Sequence, residues 1–173
     1  ALKLRSEQSV AASHALTAQI EVPAPAGLSY MMHQLAAINY AADRAGTLNA
    51  DEMGLGKTIS SIGTINNDTT IRNVLVICPA MLKINWRREA NKWLTRPFRI
   101  TIANGKLSDA DLSGQNNLFV IINYELLNRH QVLLNNVAWD LVVVDEAHYC
   151  KNYKAQRTKL AMQLLSRARR RLA

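Results

Sequence analysis

One stretch decides the fold of this chain: Asp51-Glu52-Met53-Gly54-Leu55-Gly56-Lys57-Thr58. Its end, Gly-Lys-Thr, is the phosphate-gripping part of a P-loop, in which Lys57 reaches the β- and γ-phosphates and the Thr58 hydroxyl ligates Mg²⁺. Gly54 and Gly56 allow the backbone to turn several N–H groups toward an anion, and a helix starting here adds its positive dipole end. The stretch predicts binding of a nucleoside triphosphate. Asp51 stands where the general pattern has Gly, and an ordinary glycine turn before a helix is the alternative interpretation.

A second motif follows the apolar run Leu141–Val144, which is typical of a strand buried on both faces of a parallel sheet. The run leads into Asp145-Glu146-Ala147-His148, and acidic residues at the carboxyl end of such a strand lie where open α/β sheets bind ligands. Asp145 can hold Mg²⁺, usually through water, and Glu146 can orient and deprotonate an attacking water. A charged strand end in solvent is the alternative, but the P-loop upstream favours a hydrolytic site.

Composition limits the class of protein. The 173 residues suffice for one α/β domain, and a hydrophobic content of 49% favours a folded globule. The net charge of +8 makes a polyanionic partner plausible, nucleic acid first. Cys78 and Cys150 are the only cysteines, so a zinc site is not expected. With no long apolar run or signal-type core, we expect a soluble, intracellular protein, and both ends look cut from something longer.

Strand and helix patterns alternate along the chain, which predicts an α/β fold with a mainly parallel sheet. A linker is expected around Pro23, Pro25 and Gly27. The predicted strands are 47–50, 73–78, 118–122 and 141–144, with a weaker one at 98–103. The predicted helices are 31–42, 57–66, 80–94, 123–134 and 155–168.

The helix at 80–94 has an apolar stripe that includes Trp86 and Trp93, which we expect to be core residues rather than base-stacking platforms. Because this helix follows a strand, its N-terminus lies at the ligand edge of the sheet. Its backbone N–H groups and Lys83 are therefore candidates for holding a nucleic-acid phosphate. A solvated basic face over a core stripe is the alternative, at least for Arg88 and Lys92.

The order of these motifs resembles the Swi/Snf-type helicase-like ATPases of superfamily two. Residues 51–58 are similar to that family's P-loop, which carries Asp at the position of Asp51, and residues 145–148 followed by Lys151-Asn152 are similar to its second motif. Residues 76–93 and 121–127 resemble its DNA-contacting segments. The resemblance covers about residues 28–173 and implies a RecA-like P-loop NTPase lobe, incomplete at its C-terminus, after an N-terminal extension and linker at 1–27.

The resemblance also implies roles for individual residues. Gln34, in the short block His33-Gln34, is matched to the glutamine that recognises adenine, with a surface helix residue as the alternative. Catalysis is assigned to Lys57, Asp145 and Glu146, Mg²⁺ binding to Thr58 and Asp145, and coupling to His148. The expected DNA contacts are Lys83, Arg87 and Tyr124. The expected nucleotide contacts are Gln34, Asp51, Glu52, Met53, Gly54, Leu55, Gly56, Lys57 and Thr58.

The function that the resemblance implies is that of the first ATPase lobe of a double-stranded-DNA translocase or remodeller, with ATP and Mg²⁺ as cofactors. Its partners would be duplex DNA and a second RecA-like lobe. Because arginines from that second lobe stabilise the transition state, the lobe alone is expected to be nearly inactive. The alternatives are a regulatory module that binds nucleotide without turnover and a lobe of an RNA helicase. The location would be the cytoplasm of a prokaryote or virus-infected cell, or the nucleus of a eukaryote.

Overall fold

A six-stranded parallel sheet forms the centre of the molecule. The computed structural model describes residues 20–48, 55–113 and 117–173. The strands are β1 (Gly46–Thr47), β2 (Asn73–Cys78), β3 (Arg99–Ile102), β4 (Leu118–Asn123), β5 (Leu141–Val144) and β6 (Arg170–Leu172). Their order in the sheet is β1-β6-β5-β2-β4-β3. Each neighbouring pair is parallel, so the predicted α/β class with a parallel sheet is confirmed.

Helices cover the sheet on both faces. They are α1 (Met32–Ala42), α2 (Lys57–Asn67), α3 (Lys83–Trp93), α4 (Asp109–Leu112), α5 (Gln131–Asn135) and α6 (Gln156–Arg167). Single 3₁₀ turns occur at Ala80–Leu82, Tyr124–Leu126 and Ala147–Cys150. No helix within the described ranges is both long and apolar enough to cross a membrane.

The two faces of the sheet have separate cores because successive side chains of a strand point to opposite sides. On one face, alternate residues such as Val76 and Val143 pack with residues of α1, α2 and α3. On the other, Ile77 and Val144 pack with residues of α5 and α6. All residues of β4 and β5 are buried, which explains why these strands are continuous apolar runs.

α1 and α2 pack closely at Gly63. A Cβ atom added there would collide with Ile38, whose Cγ1 would lie 3.0 Å away, and would lie 3.1 Å from Cε1 of Tyr30. Ile38 is fully buried, so the contact has no spare volume. The glycine therefore allows α1, the helix that carries Gln34, to rest directly on α2.

The structure differs from three sequence expectations. The helix expected at 123–134 is broken into the turn Tyr124–Leu126 and the short α5, because the Asn123 amide donates to Glu125 Oε2 (2.6 Å) and Tyr124 turns inward. The strand β6 was not among the predicted strands, and it lies between β1 and β5. The strand expected at 47–50 is observed as Gly46–Thr47, and its last two residues, like residues 1–19, lie outside the described ranges.

Arginines at the start of β6 bind carboxylates rather than solvent alone. The Arg170 guanidinium lies 2.6 Å from Asp68 Oδ2 and donates to the carbonyl oxygens of Ala41 (2.9 Å) and Ala42 at the end of α1. Arg169 makes longer ion pairs, 3.6 Å to Asp140 and 3.9 Å to Asp68. Arg170 thus joins β6 to the ends of α1 and α2.

Candidate active site

The predicted catalytic residues line one cleft at the carboxyl edge of the sheet. Lys57 and Thr58 enter it from the start of α2, and Asp145 and Glu146 follow β5. The described residues around the cleft enclose about 320 Å³, within the range of about 300–1,000 Å³ of small-molecule sites. The cleft is lined by Gly56, Lys57, Thr58, Ile59, Leu82, Asn85, Glu89, Asp145 and Glu146. The predicted contacts Asp51, Glu52, Met53 and Gly54 lie outside the described residues.

Gly56 is required at the start of α2 for two reasons. It is the N-cap residue and has φ 78° and ψ 37°, a left-handed conformation that favours glycine. A Cβ atom added to it would also lie 2.5 Å from Gln34 Nε2. Since the helix begins at Lys57, the N–H groups of its first turn and its dipole lie at the cleft.

Gln34 lies beneath the P-loop and is only 3% exposed, so the alternative of a surface helix residue is wrong. Its Oε1 accepts a hydrogen bond from the Met31 amide (3.0 Å), and its Nε2 donates to the Leu55 carbonyl (3.5 Å). Nε2 of His33 lies 2.9 Å from the same carbonyl oxygen. Both side chains thus join the backbone at Leu55 to α1, and the adenine contact of Gln34 stays a prediction.

Asp145 is held at three atoms. Its amide donates to the carbonyl of Ile77 (2.8 Å), which extends the pairing of β5 with β2. Its carboxylate Oδ2 accepts the indole N–H of Trp86 (2.7 Å), and its main-chain oxygen accepts the hydroxyl of Tyr124 (2.6 Å). Within the described part of the chain, Oδ1 has no hydrogen-bond partner. The carboxylate is therefore fixed in direction through Oδ2.

Glu146 has an unusual backbone conformation for a residue with a side chain. Its φ of 54° and ψ of 54° lie in the left-handed region, and this conformation costs a residue other than glycine about 1–3 kcal/mol. Strain of this size is common at functional sites, where surrounding contacts impose it. Its Oε2 lies 3.0 Å from Nδ1 of His148, the predicted coupling residue, whose side chain is about half exposed at 54%. The motif thus links the cleft carboxylate to an exposed imidazole.

Two of the predicted DNA contacts are corrected by the geometry. Tyr124 is 1% exposed, with its ring stacked on Tyr149 (centroids 5.3 Å apart), so it has no surface for DNA. Burial raises the pKa of Tyr124, so its hydroxyl stays a donor. Nζ of Lys83 donates to the Ala103 carbonyl (2.9 Å) and to the side-chain oxygens of Asn104 (3.1 Å) and Asn123 (2.9 Å). All three of its N–H donors are used within the chain. Arg87 is exposed on α3.

Sequence reasoning placed Trp86 in the core and missed its second role. Trp86 is buried at 2% exposure, as predicted, but its indole N–H also contacts the predicted metal ligand Asp145. The sequence analysis also missed Asn85 and Glu89, which line the cleft one helical turn apart. Their spacing of four residues on a helix that starts at the ligand edge was the available signal.

The side chains that line the cleft fit Mg²⁺ and a nucleoside triphosphate. Mg²⁺ prefers oxygen ligands and is usually held by one or two carboxylates together with substrate phosphates. The Thr58 hydroxyl and the carboxylates of Asp145 and Glu146 supply such oxygens. No cluster of three or more acidic, histidine or cysteine side chains that could hold a metal ion occurs in the described ranges. Burial raises the pKa of the neighbouring Cys78 to about 12, which keeps it a thiol rather than a metal-binding thiolate.

A sequence profile of the SNF2-related domain matches residues 25–173. The chain belongs to this family. The Swi/Snf resemblance drawn from the motifs is therefore confirmed, and the SNF2-related domain covers the sheet, the helices and the cleft described above.

Several curated proteins resemble this SNF2-related chain. The SWI/SNF-related matrix-associated actin-dependent regulator of chromatin subfamily A-like protein 1 of Xenopus tropicalis is 31% identical over 154 residues, which are 87% of this chain and 16% of that protein. The ISWI chromatin-remodeling complex ATPase ISW1 of Saccharomyces cerevisiae is 32% identical over 69% of this chain and 11% of its own length. Human DNA repair and recombination protein RAD54B is 33% identical over 70% of this chain and 14% of its own length. The chain spans a small part of each relative.

A solved structure shows the same fold. The Sulfolobus solfataricus SWI2/SNF2 ATPase core in complex with dsDNA matches with a TM-score of 0.71 and 24% identity, over 92% of this SNF2-related chain and 33% of that one. The predicted RecA-like α/β lobe is thereby confirmed.

Proposed function

We propose that this chain is the ATP-binding lobe of an ATP-dependent translocase or remodeller of double-stranded DNA, and that it couples ATP hydrolysis to movement on DNA. The observation that carries the proposal is that Lys57 and Thr58, at the start of α2, line the same cleft as Asp145 and Glu146. Membership of the SNF2-related family supports the choice of reaction. We place the lobe at residues 28–173, with residues 1–27 as an extension and linker.

The roles of the cleft residues follow from their chemistry. The Lys57 ammonium and the N–H groups at the start of α2 bind the β- and γ-phosphates. The Thr58 hydroxyl and the Asp145 carboxylate would hold Mg²⁺, which would neutralise charge on those phosphates. Glu146 orients a water and accepts its proton as the water oxygen attacks the γ-phosphorus; the bond to the β–γ bridging oxygen breaks, and ADP and phosphate leave. His148, 3.0 Å from Glu146, links this site to the surface where coupling would occur.

Two further partners belong to the proposal. The arginines that stabilise charge in the transition state would come from a second RecA-like lobe across the cleft. Duplex DNA would bind through its phosphates at Arg87, which is exposed on α3. The Sulfolobus solfataricus ATPase core was solved in complex with dsDNA, which supports this class of polymer. A DNA motor acts where DNA is, in the nucleus of a eukaryote or the cytoplasm of a prokaryote.

Nucleotide binding tests the site directly. Calorimetry with Mg²⁺ and a slowly hydrolysed ATP analogue should show that Lys57→Ala reduces nucleotide affinity at least tenfold, since it deletes the ammonium group that would contact the phosphates. Glu146→Gln should bind the nucleotide like the unmodified chain, yet abolish turnover in the full-length protein, because an amide cannot accept the proton of the attacking water. Wild-type hydrolysis by Glu146→Gln would remove its role as base. Binding without any turnover by the full-length protein would favour the regulatory module.

DNA binding tests the choice of partner. Fluorescence anisotropy should give a Kd for duplex DNA no tighter than roughly 10⁻⁶ M at physiological salt, with a shallow dependence of affinity on salt. The reason is that one lobe alone offers few contacts to DNA phosphates. Arg87→Glu should weaken binding to all sequences alike. Lys159→Glu on α6, exposed on the opposite side of the sheet, is the matched charge reversal and should have little effect. Tighter binding to RNA than to duplex DNA would favour the RNA-helicase alternative.

A further inference from the structure

Two buried aromatic side chains from different elements hold Asp145. Trp86 of α3 donates its indole N–H to Oδ2 (2.7 Å), and Tyr124, after β4, donates its hydroxyl to the main-chain oxygen (2.6 Å). Their side chains are 2% and 1% exposed, so water does not compete for either bond. The first bond controls the rotation of the carboxylate, and the second controls the position of the backbone that carries it.

The indole bond is of the strong type. An N–H that donates to an ionised carboxylate makes a charge-assisted hydrogen bond, roughly twice as strong as a neutral one. An indole N–H is a donor only, so a buried one can be satisfied only by an acceptor such as Oδ2 of Asp145. Oδ2 is fixed by Trp86, Oδ1 has no hydrogen-bond partner among the described residues, and Asp145 lines the cleft.

We propose that Trp86 is a positioning residue: its hydrogen bond sets the direction in which the Asp145 carboxylate points toward a bound metal. Tyr124 supports the same carboxylate by holding the backbone of Asp145. The inference rests on the proposed function, since it deepens the assignment of Asp145 to Mg²⁺. Trp86 and Tyr124 belong to the two segments predicted for DNA contact, at 76–93 and 121–127. A shift of either segment would therefore move the carboxylate.

The chain contains its own control for a plain packing role. Trp93 lies on the same helix and is also buried, at 6% exposure, but its indole nitrogen has no hydrogen-bond partner among the described residues. Trp86→Phe and Trp93→Phe therefore remove the same atoms from similar surroundings. Only the first removes a hydrogen bond to Asp145.

The first experiment measures how much Mg²⁺ is needed for half-maximal binding of a fluorescent ATP analogue. We expect Trp86→Phe to raise that concentration about tenfold, the size expected from one charge-assisted hydrogen bond, and Trp93→Phe to change it less than about twofold. Tyr124→Phe should raise it by about threefold. Trp86→Phe should add nothing in an Asp145→Asn background, because that background has already lost the carboxylate that the indole bond is proposed to orient.

The second experiment needs no activity and no variant of Trp86. The chain has three tryptophans, so an amide ¹H–¹⁵N spectrum shows three indole signals. Trp86 donates to Asp145, Trp93 has no partner among the described residues, and Trp139 donates to the Leu134 carbonyl (2.8 Å). Asp145→Asn, and separately Mg²⁺ with nucleotide, should each move the Trp86 signal by more than the other two.

The outcomes separate the inference from the proposed function. Suppose that Asp145→Asn raises the Mg²⁺ concentration needed for half-maximal binding, but Trp86→Phe and Trp93→Phe change it by the same amount. Trp86 is then a packing residue, and the inference alone is overturned. The inference is also overturned if Asp145→Asn leaves the Trp86 signal in place. If Asp145→Asn leaves the Mg²⁺ dependence unchanged, the metal role of Asp145 fails and the inference fails with it.

Discussion

The contact between Arg170 and Asp68 should contribute a large share of the stability of the fold. Arg170→Ala removes a guanidinium whose side chain is 12% exposed and which pairs with a carboxylate that is 18% exposed, at 2.6 Å. Removing one partner of a fully buried pair costs about 3–5 kcal/mol, because the other charge stays buried and unpaired. Here Asp68 keeps the hydroxyl and the amide of Thr70, at 2.5 Å and 2.9 Å. We therefore expect the free energy of unfolding to fall by about 2–3 kcal/mol.

The neighbouring arginine supplies the comparison. The side chain of Arg169 is 47% exposed and its ion pairs are 3.6 Å and 3.9 Å long, so Arg169→Ala should cost less than about 1 kcal/mol. Urea unfolding followed by circular dichroism measures both variants, with unchanged dependence on urea as the condition for comparison. A double variant with Asp68→Ala should show a coupling energy of about 1–3 kcal/mol. Equal losses for the two arginines, or no coupling, would refute the reasoning from burial and distance.

Three other changes have defined outcomes. Burial alone would raise the pKa of Asp68, but hydrogen bonds from Thr70 and the charges of nearby arginines outweigh it, so the pKa is lowered. The stabilisation that ionised Asp68 provides is complete above the ordinary aspartate pKa of about 3.9 and is lost as the pH falls through the lowered pKa. Urea unfolding at a series of acidic pH values should therefore show the unmodified chain and Asp68→Asn becoming equally stable as the pH falls below that lowered pKa. Gly63→Ala should cost about 1–2 kcal/mol in urea unfolding, since overpacking against Ile38 exceeds the gain in helix propensity. Lys83→Met should lower the melting temperature and leave DNA affinity unchanged, whereas a loss of DNA affinity at unchanged stability would restore Lys83 as a phosphate contact.

The sequence was most informative where one local pattern determines the structure. The strands β2, β4 and β5 are apolar runs that can only be buried, and α3 shows its buried stripe of Trp86, Ala90 and Trp93. The P-loop and the acidic motif were placed at the same sheet edge because parallel strands share their carboxyl ends.

Structure that depends on distant partners could not be predicted in this way. The strand β6 starts with two arginines, and nothing local indicates that Asp68 and the end of α1 neutralise the first of them. The break in the helix expected at 123–134 depends on Tyr124 reaching the backbone of Asp145, across 21 residues of sequence. The role of Trp86 likewise depends on a contact 59 residues away, which helical periodicity does not report.

The position of β6 in the sheet sets an order of assembly. Among the described strands, β1, which leads toward the P-loop, pairs only with β6, and Gly46 lies in register with Arg171, 125 residues later (171 minus 46). During synthesis from the N-terminus, β2 to β5 can pair before β6 has been made, but β1 cannot yet join the sheet. Contacts between residues so far apart in sequence form slowly, because the loop between them must be closed first. The helix α2 can pack on β2 and β5 without β6, so β1 is the part of the cleft's support that is anchored last. A ribosome-bound chain that stops at Arg167 would carry the acidic motif on a formed strand while β1 still lacked its place in the sheet.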